Sequence, residues 1–147
     1  MPTRHARTAW DGSFEEGSGQ VELSSSGLAT FEVSFPKRAS EDGGGATNPE
    51  ELLAASHSSC YSMQLSALIG QAGGTVHSIE TTAAVTLGPD PDGGFRLSGI
   101  ALTVRAEVDG LDDAAFADAA NQAKSGCPIS KALTGVDITL DAALVTA

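Results

Sequence analysis

Two cysteines, Cys60 and Cys127, carry the most reactive side chains in this chain of 147 residues. A thiolate is both a nucleophile and a metal ligand, and two thiols can form a reversible disulfide. The two do not form a C-x-x-C pair. Their spacing therefore leaves three interpretations open: buried structural thiols, metal ligands, or a redox pair that folding brings together.

The local settings of the two thiols differ. Cys127 precedes Pro128 at the predicted start of a short helix, where unpaired backbone N–H groups favour the thiolate. Cys60 lies within Leu52 to Ile69, a segment without Lys, Arg, Asp or Glu. Burial in such a segment keeps a thiol protonated unless a cation is brought to it. On local grounds Cys127 is the more reactive thiol and Cys60 a core residue.

A zinc site is the main alternative use of these thiols. His57 precedes Cys60 by one helical turn. Together with Cys60, His77 and Cys127, it would provide four side chains of the types that bind zinc. No two of these residues have a recognised structural-zinc spacing, so we expect no metal and no other cofactor. We expect His57 to be a hydrogen-bonded core residue.

The composition excludes several classes of partner. The chain has 8 Lys and Arg against 19 Asp and Glu, a net charge of −11, which disfavours nucleic acid and anionic membrane surfaces. The N-terminal "MPTRHARTAWDG" lacks the apolar stretch of a secretory signal, so we expect a cytoplasmic location. The charge-free segment contains five serines, a histidine and a glutamine. These residues predict a helix buried in protein rather than a membrane span.

The first part of the chain is predicted to be a β meander, formed by "HARTAWDG", "GQVELSS" and "LATFEVSF". The glycine-rich segment 36–48 predicts a mobile loop. A long helix then begins, with Asn48 as N-cap, Pro49 at the first helical position and Glu51 in a capping box. We expect it to end within residues 70–74.

The second part predicts two long strands joined by the turn "GPDPDGG", with a bulge near Gly99 that brings Phe95 and Leu97 to the core side. Residues 111–126 and "CPISKALTG" predict two helices, and "VDITLDAAL" predicts a last strand. The order is β-β-β-α-β-β-α-α-β. It indicates one α+β domain over residues 1–147, with a long apolar helix packed on antiparallel sheets.

The long helix is apolar on both sides. Leu53, Cys60, Met63 and Ala67 lie on one side, and Tyr61, Leu65 and Leu68 lie on another. A helix of this kind needs burial all round, and a monomer of this size supplies little more than one sheet. The pattern therefore predicts a dimer that encloses the helix.

Several segments together resemble the OsmC/Ohr family of thiol-dependent peroxidases, and its OsmC branch in particular. They are "FPKR", "TNPEELLAASHSSC", "SGCPISKAL" and the final "ITLD", and the resemblance runs from about Trp10 to the C-terminus. The spacing of "TNPE" to Cys60 and the "GCP" around Cys127 reproduce family motifs. The resemblance implies an OsmC-like fold, an intertwined homodimer in which antiparallel sheets wrap around long central helices.

The resemblance also implies roles for four residues. Cys60 would be the peroxidatic nucleophile and Cys127 the resolving thiol. Arg38 would stabilise the thiolate and the leaving group, and Glu50 would orient Arg38. The implied activity is the reduction of organic hydroperoxides, and more slowly of hydrogen peroxide, through a Cys60 sulfenic acid and a Cys60–Cys127 disulfide. This activity would serve as an antioxidant stress response. A small or protein-bound dithiol would then reduce the disulfide.

Helix geometry adds a hypothesis about Glu50. On one continuous helix, the ten residues from Glu50 to Cys60 correspond to about 15 Å along the axis, too far for one arginine to contact both easily. Either the helix breaks between them, or the Glu50 that serves a given Cys60 comes from the partner subunit. We favour the second, because it makes the dimer obligatory.

Two other functions compete with the peroxidase. A non-catalytic member of the same fold would bind a small organic molecule in an apolar interface pocket, and Glu50 would be only a first-turn charge that complements the helix dipole. Such a protein is expected to lack at least one redox residue, and all four are present here. A general thiol–disulfide oxidoreductase is disfavoured by the missing C-x-x-C.

Overall fold

The computed structural model describes residues 1–146. The chain forms two compact units, Met1–Leu52 and Leu53–Ala147. The single domain expected from the sequence stays a prediction. None of the helices within residues 1–146 is long and apolar enough to cross a lipid bilayer.

The first unit is built on a three-stranded antiparallel sheet. Its strands are β1 (Arg7–Asp11), β2 (Ser18–Glu22) and β3 (Thr30–Val33), and β2 lies in the centre. The predicted meander is confirmed.

Short helical segments follow the meander where the sequence predicted a mobile loop. A five-residue helix, α1 (Phe35–Ala39), begins after Ser34, whose hydroxyl accepts a hydrogen bond from the backbone N–H of Lys37. A 3-10 turn occupies Gly43–Gly45, and all three glycines have positive φ. The interpretation as a loop missed the serine cap and the proline in the first turn, which together are a helix-start signal.

The long helix α2 spans Pro49–Gln71 without a break. The Asn48 side chain accepts a hydrogen bond of 2.8 Å from the Glu51 N–H, and Thr47 Oγ1 donates to the Glu51 carboxylate at 2.6 Å. Gly73 follows the helix with φ +87°, a conformation that ends helices and that glycine adopts without strain. The predicted start and end of this helix are confirmed.

The second unit contains a hairpin of two fifteen-residue strands, β4 (Thr75–Pro89) and β5 (Phe95–Asp109). The register shifts where Thr86 pairs with Gly99, so the predicted bulge is confirmed. It places Leu97 half-buried opposite Leu87. Phe95 remains 62% exposed, so the prediction that it faces the core is wrong. Phe95 pairs with Pro89 beside the turn, beyond the end of the core.

The hairpin is followed by α3 (Asp113–Gly126), α4 (Pro128–Ala132) and β6 (Ile138–Leu144). The strand β6 pairs with β5 in parallel, so the predicted all-antiparallel arrangement is wrong for this edge of the sheet. Because α3 and α4 connect the two strands, the chain crosses over and returns in the same direction. The core of this unit lies between α2, α3 and the sheet. It includes Tyr61, Leu65, Ile69, Ile100, Leu102, Val104, Ala106, Phe116, Ala120 and Ala123.

The two sides of α2 differ in exposure although neither carries a charge between Leu52 and Ile69. His57, Tyr61, Leu65 and Ile69 follow each other at four-residue spacing and are fully buried. The opposite side is exposed, and the Met63 residue at its centre is 72% exposed.

Candidate functional site

Folding brings the two cysteines of the second unit together. The Cys127 thiol lies 2.9 Å from the Cys60 sulfur, and both cysteines are free. Cys60 comes from the middle of α2, and Cys127 is the single residue between α3 and α4. The sulfur separation is a little more than the roughly 2.05 Å of a disulfide bond. The two sulfurs are thus placed to form a disulfide with a small movement.

The two thiols differ in access to solvent. Cys60 is partly exposed, whereas Cys127 is completely buried. Of the two cysteines, Cys60 is therefore the one in contact with solvent. The local sequence settings suggested instead that Cys127 is the more reactive thiol.

Several neighbours act on the pKa of the Cys60 thiol. Burial raises this pKa most, and the hydrogen bond and the charge of Cys127 raise it further. The backbone N–H of Ile129, in the first turn of α4, lowers it by a hydrogen bond to the sulfur. Cys127 does occupy the predicted N-cap position, but its side chain makes no capping hydrogen bond. The start of α4 therefore favours the thiolate form of Cys60.

A second polar contact joins the same two helices. His57 Nε2 lies 2.7 Å from Ser130 Oγ, and both side chains are buried. The other ring nitrogen, Nδ1, has no hydrogen-bond partner in the described part of the chain. Burial lowers the pKa of His57, which favours the neutral imidazole. The prediction of a hydrogen-bonded core histidine is confirmed, whereas Ser130 and Ile129 were missed.

In the first unit, Arg38 and Glu50 form a bidentate ion pair. Arg38 Nη2 lies 2.6 Å from one Glu50 oxygen, and Nε lies 3.1 Å from the other. The Arg38 side chain is 32% exposed and that of Glu50 is 11% exposed. Lys37, the other cation of "FPKR", pairs with Glu32 at 2.8 Å instead. Charge-assisted pairs with two contacts fix the orientation of a guanidinium.

The same unit contains an apolar cavity of about 380 Å³ that Arg38 also lines. The rings of Phe14 and Phe35, which are 4.0 Å apart, form part of its wall. The other apolar lining residues are Trp10, Val21, Val33, Pro49 and Leu52. Sequence reasoning missed this cavity because its wall is assembled from three strands, α1 and the start of α2.

His77, a candidate zinc ligand in the sequence, lies in a surface ion pair. Its Nε2 is 2.8 Å from the Asp109 carboxylate, and this hydrogen bond raises the pKa of His77. Within residues 1–146 there is no group of three or more side chains placed to hold a metal ion.

Replacement of Cys127 tests the electrostatics of the thiol pair. We expect Cys127→Ala to lower the pKa of Cys60, because the variant removes both the hydrogen bond and the charge that raise it and keeps the Ile129 N–H. Cys127→Ser also removes the thiolate charge, and its hydroxyl can donate a hydrogen bond to the Cys60 thiolate, so it should lower this pKa as well. The measurement is the pH dependence of Cys60 alkylation by iodoacetamide, followed on the Cys60 peptide by mass spectrometry. An unchanged or higher Cys60 pKa in Cys127→Ala would contradict this account.

Comparison with known proteins assigns the chain to a family. The family model described as OsmC-like protein matches residues 41–141. Peroxiredoxin OsmC of Escherichia coli strain K12 is 42% identical over 132 residues, 90% of each chain. The organic hydroperoxide resistance protein of Xanthomonas axonopodis pv. citri strain 306 is 32% identical over 120 residues, which are 80% of this chain and 82% of that protein.

The crystal structure of the organic hydroperoxide resistance protein OhrB of Bacillus subtilis matches with a TM-score of 0.74 and 29% identity. That match covers 95% of this chain and 98% of OhrB. The predicted resemblance is confirmed, and the chain belongs to the OsmC-like protein family.

Proposed function

We propose that this protein is a cysteine-based peroxidase that reduces organic hydroperoxides, and more slowly hydrogen peroxide. The observation that carries the proposal is the pair of free thiols 2.9 Å apart, one partly exposed and one buried. The relatives named peroxiredoxin and organic hydroperoxide resistance protein support it. Such a protein would serve in the cytoplasm as an antioxidant.

Cys60 is the peroxidatic residue in this proposal because it is partly exposed, whereas Cys127 is completely buried. Its thiolate attacks one oxygen of the hydroperoxide, the O–O bond breaks, and the alkoxide leaves and takes up a proton. The products are an alcohol and a Cys60 sulfenic acid. The hydrogen bond from the Ile129 N–H stabilises the thiolate that the reaction needs.

Cys127 is the resolving residue. Its sulfur attacks the Cys60 sulfenic acid, the hydroxyl leaves as water, and a Cys60–Cys127 disulfide forms. The burial of Cys127 suits this role, because its reaction partner comes from inside the protein. A small or protein-bound dithiol then reduces the disulfide and restores both thiols.

Arg38 and Glu50 supply the electrostatic part of the proposal. A guanidinium beside the reacting sulfur stabilises both the thiolate and the negative charge that develops on the departing oxygen. Glu50 holds Arg38 through the bidentate pair, so that the cation is oriented before the substrate arrives. The apolar cavity beside Arg38 has the size and character to take the organic part of a hydroperoxide.

We further propose a homodimer in which the partner subunit's Arg38 and Glu50 serve a given Cys60. The unbroken course of α2 supports this idea, because ten residues of helix correspond to about 15 Å along the axis. The exposed side of α2 carries no charge between Leu52 and Ile69, and its large apolar residue Met63 is 72% exposed, which also supports a dimer.

The activity can be tested with one equivalent of cumene hydroperoxide. We expect rapid loss of both thiols and an intrachain Cys60–Cys127 disulfide, mapped by mass spectrometry. Cys60→Ser should consume no hydroperoxide. Cys127→Ser should stop at the Cys60 sulfenic acid with one equivalent and accumulate Cys60 sulfinic acid when two or more equivalents are supplied. Persistence of both thiols in excess hydroperoxide would refute the peroxidase and leave the small-molecule-binding protein, with the apolar cavity as its site.

The role of the ion pair can be tested separately. We expect Arg38→Met to slow the oxidation of Cys60 by about a hundredfold or more, because the developing oxyanion loses its cation. Glu50→Gln keeps the shape but loses the charge, so it should have a smaller effect in the same direction. Stopped-flow kinetics with cumene hydroperoxide give the rates, and melting temperatures control for folding. A wild-type rate in Arg38→Met would exclude this role.

The dimer is tested by substitution on the exposed side of α2. Met63→Glu should shift the protein to monomers, because a carboxylate would be buried without a partner at the interface. Met63→Leu keeps the apolar surface and should leave the dimer intact. Sedimentation velocity over a range of concentrations distinguishes monomers from dimers. A wild-type protein that sediments as a monomer throughout would contradict the proposal.

A further inference from the structure

Two neighbouring side-chain contacts join α2 to the start of α4. One is the contact between the sulfurs of Cys60 and Cys127, and the other is the 2.7 Å hydrogen bond between His57 and Ser130. His57 precedes Cys60 by three residues, and Ser130 follows Cys127 by three. The hydrogen bond therefore lies one helical turn from the thiol pair on both helices.

The helix α4 depends on such contacts for its position. It has five residues and no side-chain cap at its start, and a helix this short is not stable by itself. Ser130 is the buried residue of this helix, at 5% exposure, and its hydroxyl meets a histidine with no exposed surface. Water does not compete for a bond in such a place, so removal of one partner leaves a buried polar atom unsatisfied.

The first turn of α4 carries the groups that act on Cys60. Cys127 immediately precedes the helix, and the backbone N–H of Ile129 lowers the pKa of Cys60. Ser130 is the next residue along the chain. A bond that fixes Ser130 to α2 therefore also fixes the Cys127 sulfur and the Ile129 N–H relative to Cys60.

We propose that His57 and Ser130 are positioning residues for the resolving step, which hold the first turn of α4 against α2 so that Cys127 stays within reach of the oxidised Cys60. The inference rests on the peroxidase function proposed above. Neither residue contacts the reacting atoms in this scheme. They act through the placement of Cys127.

The resolving step competes with a second oxidation, and this competition makes positioning matter. In resolution, the S–S bond forms, the S–O bond of the sulfenic acid breaks, and the hydroxide leaves with the proton of the Cys127 thiol as water. In the competing reaction, a second hydroperoxide transfers an oxygen to the sulfenate and leaves as alcohol, which gives the sulfinic acid. Displacement of Cys127 slows only the first of these reactions.

Ser130→Val and Ser130→Thr form a matched pair, because they differ only by a methyl group in place of the hydroxyl. With excess cumene hydroperoxide, we expect Ser130→Val to raise the ratio of Cys60 sulfinic acid to disulfide by at least about fivefold over wild type. Ser130→Thr keeps the hydroxyl and should stay near wild type. Mass spectrometry of the Cys60 peptide gives the ratio, which does not depend on the rate of the first oxidation.

A second measurement needs no peroxide. In glutathione redox buffers, oxidised glutathione converts the two thiols to the disulfide and releases two reduced glutathiones, so the equilibrium constant reports how well the sulfurs are placed. We expect Ser130→Val and His57→Leu to lower this constant by at least about fivefold. His57→Gln, which can still hydrogen-bond the Ser130 hydroxyl, should restore most of it. The histidine pair gives the same test if Ser130→Val does not fold.

The outcomes separate the two proposals. If wild type forms no disulfide with hydroperoxide, the proposed function fails, and the resolving role fails with it. If wild type forms the disulfide but Ser130→Val matches Ser130→Thr in both measurements, the peroxidase stands and the positioning role is overturned. A melting temperature that falls while the ratio and the equilibrium constant stay unchanged also overturns it, because that result shows a structural role alone.

Discussion

The 2.9 Å contact between the sulfurs of Cys60 and Cys127 requires three helices to be fixed relative to one another. Cys60 belongs to α2, and Cys127 joins α3 to α4. The apolar core fixes α3, since Phe116, Ala120 and Ala123 pack with Tyr61 and Leu65 of α2. The Tyr61 hydroxyl also donates to the Ala120 carbonyl at 2.9 Å. Ser130 is the buried residue of the short α4, and its hydrogen bond to His57 connects this helix to α2.

The same burial that positions the thiols opposes the ionisation of Cys60. Removal of Cys60 from water raises its pKa, and the nearby Cys127 raises it further. An N–H of α4 partly offsets both effects. A site of this kind is built for attack by a thiolate only when an additional cation is supplied, and that requirement is the physical reason to look for an arginine.

Much of this arrangement could be predicted from the sequence, and the exceptions have physical causes. The caps of α2 and the bulge opposite Thr86 follow from local signals, namely Asn48 with Pro49 and Gly99 in an alternating strand. The parallel pairing of β6 could not be read in this way, because alternation gives the buried face of a strand and not its direction. The contact of Ile129 with Cys60 was missed for a similar reason. A helix start identifies available N–H groups, but only the fold determines which sulfur they face.

The ion pair of Arg38 with Glu50 raises a question of charge, because a carboxylate this close reduces the field of the cation. Its two contacts engage Nε and one terminal nitrogen of the guanidinium, and they hold a side chain that would otherwise have several flexible torsions. A mobile arginine side chain would lose conformational entropy each time it met a substrate. Orientation before binding avoids that loss at the moment of reaction. In the proposed reaction, Glu50 would thus weaken the field of the cation but fix its direction, and direction matters more where charge develops on one departing oxygen.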